Sequence, residues 1–267
     1  MMKAHVKDGR SLKRSVITMS ERSKRILIVD DSETFLMYFS ILLRRMGFDV
    51  VPADNGITAL KLLRILMPDV VILDIAMPQM DGITTLRHIK GDEHTSNIPV
   101  IMVTVSSNAK YYEECEKLGC TAYLTKPVQV PDVYSTLNGC MSYGGKQRLL
   151  LRTVFEEKVS VTHDGLTTEC HAVSLSAGGL YIRKKNPFRV GTELKVRVPL
   201  EDRGTLNLKG RVIYVKGIGG NVFRIAPGMA VEFSDVSSHD TEALNSYITD
   251  CLTKDILEEQ AEPVITC

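Results

Sequence analysis

Nowhere in this chain do apolar residues run for the roughly 18 positions that a membrane-spanning helix requires. No apolar stretch follows the basic N-terminus either, where eight Lys or Arg precede residue 26, so the segment lacks the form of a secretory leader. The six cysteines make no CxxC pair and have no histidine at zinc spacing, which argues against a thiolate metal site. They are expected as reduced thiols of a cytoplasmic protein, several of them in the core. Charge of one sign is missing as well. A net charge of +1 gives no global pull toward nucleic acid or an anionic membrane, so any anion site must be local. No helix-turn-helix signature or basic recognition helix is visible, and direct DNA binding is not expected. Nor is there a catalytic output motif, so the chain is not expected to be an enzyme.

What is present divides in two. At 267 residues the chain holds one large domain or two modest ones, and 44% hydrophobic with 24% charged residues suits packed soluble cores. Residues 1–23 read as a disordered basic head, with Met19 an alternative to Met1 as the start. From 24 to 142, strand and helix patterns alternate. Residues 25–29 form a short apolar run stopped by Asp30 and Asp31. Ser32 is placed to cap a helix whose apolar positions recur from Phe35 to Met46 and end at Gly47. Further strands are expected at 49–53, 70–73, 99–104 and 122–124, with helices near 57–66, 84–90, 108–118 and 131–142. Such alternation implies an α/β doubly wound parallel sheet of five strands with helices on both faces. Sites in such sheets lie beyond the carboxyl ends of the strands. Asp30, Asp31, Asp74, Thr104 and Lys126 all fall at or just after those ends, so they are expected to converge.

Taken singly, each has an ordinary explanation: an Asp after a strand caps a helix, and Lys-Pro makes a turn. The joint pattern does not. Clustered carboxylate oxygens suit a hard cation such as Mg²⁺. Asp74 can then act as a nucleophile toward phosphorus, with Lys126 supplying positive charge and Thr104 a hydroxyl donor. The stretches ILIVDDS (26–32), VILDIAMPQMDG (71–82), VIMVT (100–104) and AYLTKP (122–127) closely resemble the receiver domain of two-component response regulators, a flavodoxin-like fold. The resemblance implies that Asp74 accepts phosphate from a sensor histidine kinase or phosphotransfer protein. It implies Mg²⁺ held by Asp30, Asp31, Asp74 and the Ala76 backbone carbonyl. Thr104 and Lys126 would bind the phosphoryl oxygens, Tyr123 would be the aromatic switch, and Lys126–Pro127 would be a cis peptide. Val105 is bulkier than the residue common at that place in the family, which would alter phosphoryl lifetime. Receivers often dimerise through their fourth and fifth helices and strand, so the resemblance also implies a homodimer through the receiver as a partner state.

After Gly144-Gly145 the pattern changes. Residues 143–152 read as a linker carrying Arg148-Leu-Leu-Leu-Arg152. From 153 to 257, six short alternating runs (158–162, 169–175, 180–183, 194–198, 206–215 and 223–233) suggest a small antiparallel six-stranded β-barrel. An amphipathic C-terminal helix near 239–257 closes it, and 258–267 is an acidic tail. Paired arginines can grip phosphates and stack on purines, though RxxxR alone is most often linker charge. The turn SLSAGG (174–179) offers hydroxyls and backbone N–H groups to an anion or a guanine edge, and is equally an ordinary hairpin turn. Together with GMAVEF (228–233) these pieces resemble the PilZ domain, a barrel that binds the bacterial second messenger cyclic di-GMP. The resemblance implies that Arg148 and Arg152 hold its phosphates and guanine, with Ser174, Ser176 and Gly179 around the pocket. Ser174 stands where the family has Asp or Asn, and its hydroxyl reaches less far with fewer groups. The expectation is a response regulator that reads phosphate and cyclic di-GMP together and acts through an unknown output protein. Two alternatives stand beside it: a phosphorylation-controlled adaptor with a degenerate PilZ domain, and a receiver that serves only as a scaffold.

Overall fold

A computed structural model describes residues 23–105, 109–141, 150–216 and 227–256. The basic head, the acidic tail and Arg148 lie outside the described residues. The first domain alternates as its sequence predicts: β1 (Arg25–Val29), α1 (Glu33–Arg45), β2 (Asp49–Ala53), α2 (Gly56–Leu66), β3 (Val70–Asp74), α3 (Gly82–Gly91), β4 (Val100–Thr104), α4 (Ala109–Lys117), β5 (Ala122–Thr125) and α5 (Val130–Cys140). The strands pair in parallel in the order β2-β1-β3-β4-β5. β1, β3 and β4 are almost wholly buried because helices cover both faces. α1 and α5 pack Phe39, Leu43, Val133 and Leu137 on one face. α2, α3 and α4 pack Leu63, Leu86, Ile89 and Cys115 on the other. Ser32, Asn55 and Asp81 accept hydrogen bonds from the first-turn N–H groups of α1, α2 and α3, which fixes where each begins. The Asp81 cap starts α3 two residues earlier than apolar periodicity alone suggests.

The second domain runs β6 (Arg152–Val154), β7 (Lys158–His163), β8 (Leu166–Ser176), β9 (Gly179–Arg183), β10 (Glu193–Pro199), β11 (Thr205–Lys216), β12 (Gly228–Ser234) and α6 (Ser238–Thr253). β7, β10, β11, β12, β9 and β8 pair in turn, and β8 pairs with both β7 and β9, so six strands close into a barrel. Closure removes the unpaired edges that an open sheet of this size would present. Short β6 is additional. Arg152, read from sequence as the end of a linker, opens this strand and pairs with Ser176. The barrel core gathers Val196, Val198, Leu208, Val212 and Met229, and α6 lays Leu244 and Tyr247 against it. Cys115, Cys120, Cys140, Cys170 and Cys251 are free thiols.

α6 has a second face. Ile248 and Leu252, with Ile256 beyond the helix, pack on Leu42 of α1 and Val130 of α5. Arg45 of α1 donates through Nη1 to the carbonyl oxygens of Leu252 at 3.1 Å and Lys254 at 2.5 Å. The C-terminal turn of α6 carries no basic residue of its own, so Arg45 supplies the cation that its exposed carbonyls favour.

Gly82 holds the loop after β3 closed. A Cβ there would lie 2.0 Å from the carbonyl oxygen of Asp74 and 2.8 Å from the Ile75 Cα, both backbone atoms that cannot swing aside. Gly82→Ala is therefore expected to displace the Asp74 carbonyl and to lower the thermal midpoint of the receiver by about 3–10 °C. A midpoint within one degree of wild type would show that the loop relaxes freely.

Candidate functional site

The crevice at the carboxyl ends of β1, β3, β4 and β5 is built by strand endings. Asp30 directly follows β1 and is 1% exposed; Asp74 ends β3 and is 4% exposed. β1 and β3 are neighbours, so two carboxylates come together where little water reaches them. Lys126, following β5, joins them: its Nζ lies 2.5 Å from Asp30 Oδ2 and 2.8 Å from Asp74 Oδ1. The Ser32 N–H donates to Asp30 Oδ1 at 2.9 Å, and the Ala76 N–H donates to Asp74 Oδ2 at 2.8 Å. Thr104, ending β4, is 1% exposed beside them. The Lys126–Pro127 bond is cis.

Burial acts most strongly on Asp74 and raises its carboxyl above the ordinary 3.8. The hydrogen bond and charge of Lys126 pull it back, Asp30 pushes it further up, and the Ala76 N–H lowers it. On Lys126 burial alone would lower the ammonium, but hydrogen bonds and charges from Asp30 and Asp74 outweigh it and leave it raised. The crevice therefore keeps its lysine charged and its Asp74 carboxyl poorly solvated.

Asp31 is exposed, and among the described residues no three His, Cys, Asp or Glu side chains close into a metal-holding group. The donors themselves suit Mg²⁺. All are oxygens, two carboxylates are buried together with a third one residue away, and a single ammonium leaves the crevice net negative. Tyr123 is half-buried on β5, its phenol raised first by burial, with the Thr104 hydroxyl in hydrogen-bond reach. Its ring lies 4.7 Å from that of Tyr112. Val105 is exposed at the mouth. Sequence reasoning passed over Phe35, whose ring lies 4.1 Å under Lys126 Nζ. Helical spacing marks it only as a core position of α1, and the signal for more is its place one turn after Asp31.

A second cleft of about 260 Å³ lies against the barrel. Arg152, Ser176, Gly178 and Gly179 are among the residues that line it. The Ser176 hydroxyl donates to the Gly179 carbonyl at 3.0 Å, holding the turn between β8 and β9. Gly179 is required where it stands, because a Cβ would meet the Val231 carbonyl of β12 at 2.2 Å. Ser174 pairs with Val154 and Tyr181 and is not on the cleft wall. Met46 and Tyr134 of the first domain also line it, which sequence patterning did not suggest.

The family model of the response regulator receiver domain matches residues 26–138, and that of the PilZ domain matches residues 146–250. The polar-differentiation response regulator DivK of Brucella anthropi is 33% identical over 114 residues, which are 43% of this chain and 93% of that protein. DivK of Brucella ovis is 33% identical over 115 residues, covering 94% of its length. Among solved structures, Vibrio cholerae chemotaxis protein CheY4 is 27% identical, with 45% of this chain and all of that chain covered and a TM-score of 0.44. A receiver domain protein from Clostridium thermocellum is 31% identical, covering 44% of this chain and 94% of that one, with a TM-score of 0.42.

The charge balance of the crevice has a measurable consequence. Because the Asp74 carboxyl is raised on folding, its ionisation opposes folding increasingly as pH climbs through the window above 3.8 and fully above its folded value. With Mg²⁺ chelated, Asp74→Asn is expected to raise the thermal midpoint at pH 7 by a few degrees. The gain should vanish below pH 3.8, where the wild-type carboxyl is protonated in both states. A lower midpoint at pH 7 would contradict this electrostatic account.

Proposed function

Because this chain belongs to the response regulators, with a receiver domain followed by a PilZ domain, we propose that it integrates a phosphoryl signal at Asp74 with cyclic di-GMP at the barrel. The observation that carries the reading is the pairing of buried Asp74 with Lys126 at the end of β3. In this reading an Asp74 oxygen attacks the phosphorus of a phosphohistidine on a kinase or phosphotransfer protein. The P–N bond breaks, an acyl phosphate forms, and the imidazole nitrogen leaves and takes up a proton. Lys126 stays charged and turns from Asp74 Oδ1 to a phosphoryl oxygen, while Thr104 donates to another. Bound through Asp30, Asp31, Asp74 and the Ala76 carbonyl, Mg²⁺ would supply positive charge against the transferred group. Tyr123, already within reach of Thr104, would follow its hydroxyl inward.

At the barrel, Arg152 would grip a phosphate and stack on guanine, with Arg148 as its partner. Gly179 and Ser176 would shape the rim. The output would be changed contact with another protein in the cytoplasm, without DNA contact and without catalysis.

A second reading has a specific observation behind it. Ser174 replaces the family's Asp or Asn and stands off the cleft, and the Ser176 hydroxyl is engaged within its own turn. The barrel would then be an adaptor that binds no nucleotide. Calorimetric titration of cyclic di-GMP into the intact protein separates the two. The proposal expects saturable binding that weakens at least tenfold in Arg152→Ala, about 1.4 kcal/mol or more. Heat changes indistinguishable from dilution, with the protein folded by circular dichroism, would favour the adaptor.

A further inference from the structure

We propose that the receiver itself closes the nucleotide cleft, and that the cleft opens when α1 lets go of α6; this rests on the cyclic di-GMP reading above. The cleft belongs to both domains. Met46, which caps the end of α1, and Tyr134 of α5 line it together with Arg152 and the turn at Gly178-Gly179. The Tyr134 hydroxyl donates to the Leu150 carbonyl at 3.0 Å. Leu150 in turn presses on the turn, its Cδ1 only 2.5 Å from where a Cβ on Gly178 would be. A receiver side chain thus holds a leucine over the segment that the guanine edge would approach. Glu232 of β12, which pairs with Gly179, adds a carboxylate to the lining, and this disfavours a phosphate there.

The cleft beside these side chains holds about 260 Å³. The ligand needs the wall formed by Met46, Tyr134 and Leu150 to withdraw. That wall is fixed by the docking of α6 on α1. Met46 packs both on the cleft and on the apolar cluster of Leu42, Ile248 and Leu252, and one residue before it Arg45 holds the end of α6. Nucleotide binding and domain docking are then mutually exclusive, so anything that weakens docking strengthens binding.

The test is calorimetric titration of cyclic di-GMP into the full chain as wild type, Arg45→Ala and Tyr134→Phe, with thermal melts to verify folding. Arg45→Ala loosens the clasp on α6 without touching the cleft. Tyr134→Phe removes one hydroxyl and keeps the ring, so it folds even if the first variant does not. Both are expected to bind at least about fivefold more tightly than wild type, within the usual range of coupling between sites. Affinities at or below wild type in both variants would overturn the proposal and leave the nucleotide reading standing. No binding by any of the three would overturn both together.

Discussion

Two carboxylates buried at the ends of adjacent strands repel each other, and Lys126 is what lets Asp30 and Asp74 share that place. The rest of the receiver serves this arrangement. The parallel sheet brings the ends of β1, β3, β4 and β5 to one edge, Gly82 keeps the loop after Asp74 close, and backbone N–H groups of Ser32 and Ala76 fix the outward oxygens. The lysine is held by charge on one side and by the face of Phe35 on the other. Its preferred position therefore depends on how much negative charge the crevice holds, which is what phosphoryl transfer would change.

Phe35 also places the crevice in contact with the rest of the molecule. It stacks on Phe39 with centroids 4.5 Å apart, and Phe39 meets Tyr38 at 6.3 Å. Tyr38 packs on the cluster that joins the receiver to α6. From Phe35 to Met46 the helix advances about 16 Å, a rigid span between lysine and barrel cleft. α6 completes the connection because it is apolar on two sides, with Leu244 and Tyr247 toward the barrel and Ile248 and Leu252 toward the receiver. One helix thus sits in two cores, with its C-terminal carbonyls held by Arg45.

Much of this could be read from the sequence because the receiver site is written in strand endings. Asp30, Asp74, Thr104 and Lys126 follow short apolar runs, and the parallel sheet then has no choice but to gather them. The six-stranded barrel was equally legible from period-two alternation. What escaped reading has a common cause. β6 has only three residues, too few for a pattern. Met46, Tyr134 and the outer face of α6 act across the domain boundary, and apolar periodicity reports that a residue is buried without saying against what. A signal did exist: α1 and its cap are apolar at Phe35, Leu36, Met37, Tyr38, Phe39, Ile41, Leu42, Leu43 and Met46, a band too wide for one neighbour. Ser174, the position where the family pattern has Asp or Asn, lies two residues before Ser176 on β8 and pairs with Val154 and Tyr181.

The central claim is that the phosphoryl site and the nucleotide cleft are linked through α1 and α6. The most direct measurement is the affinity of the intact protein for cyclic di-GMP with and without beryllofluoride and Mg²⁺, which together mimic a phosphorylated Asp74. The account predicts a different dissociation constant in the two conditions and, by reciprocity, an equal effect of cyclic di-GMP on beryllofluoride binding. Identical affinities would contradict it and leave two domains that share a chain without sharing a signal.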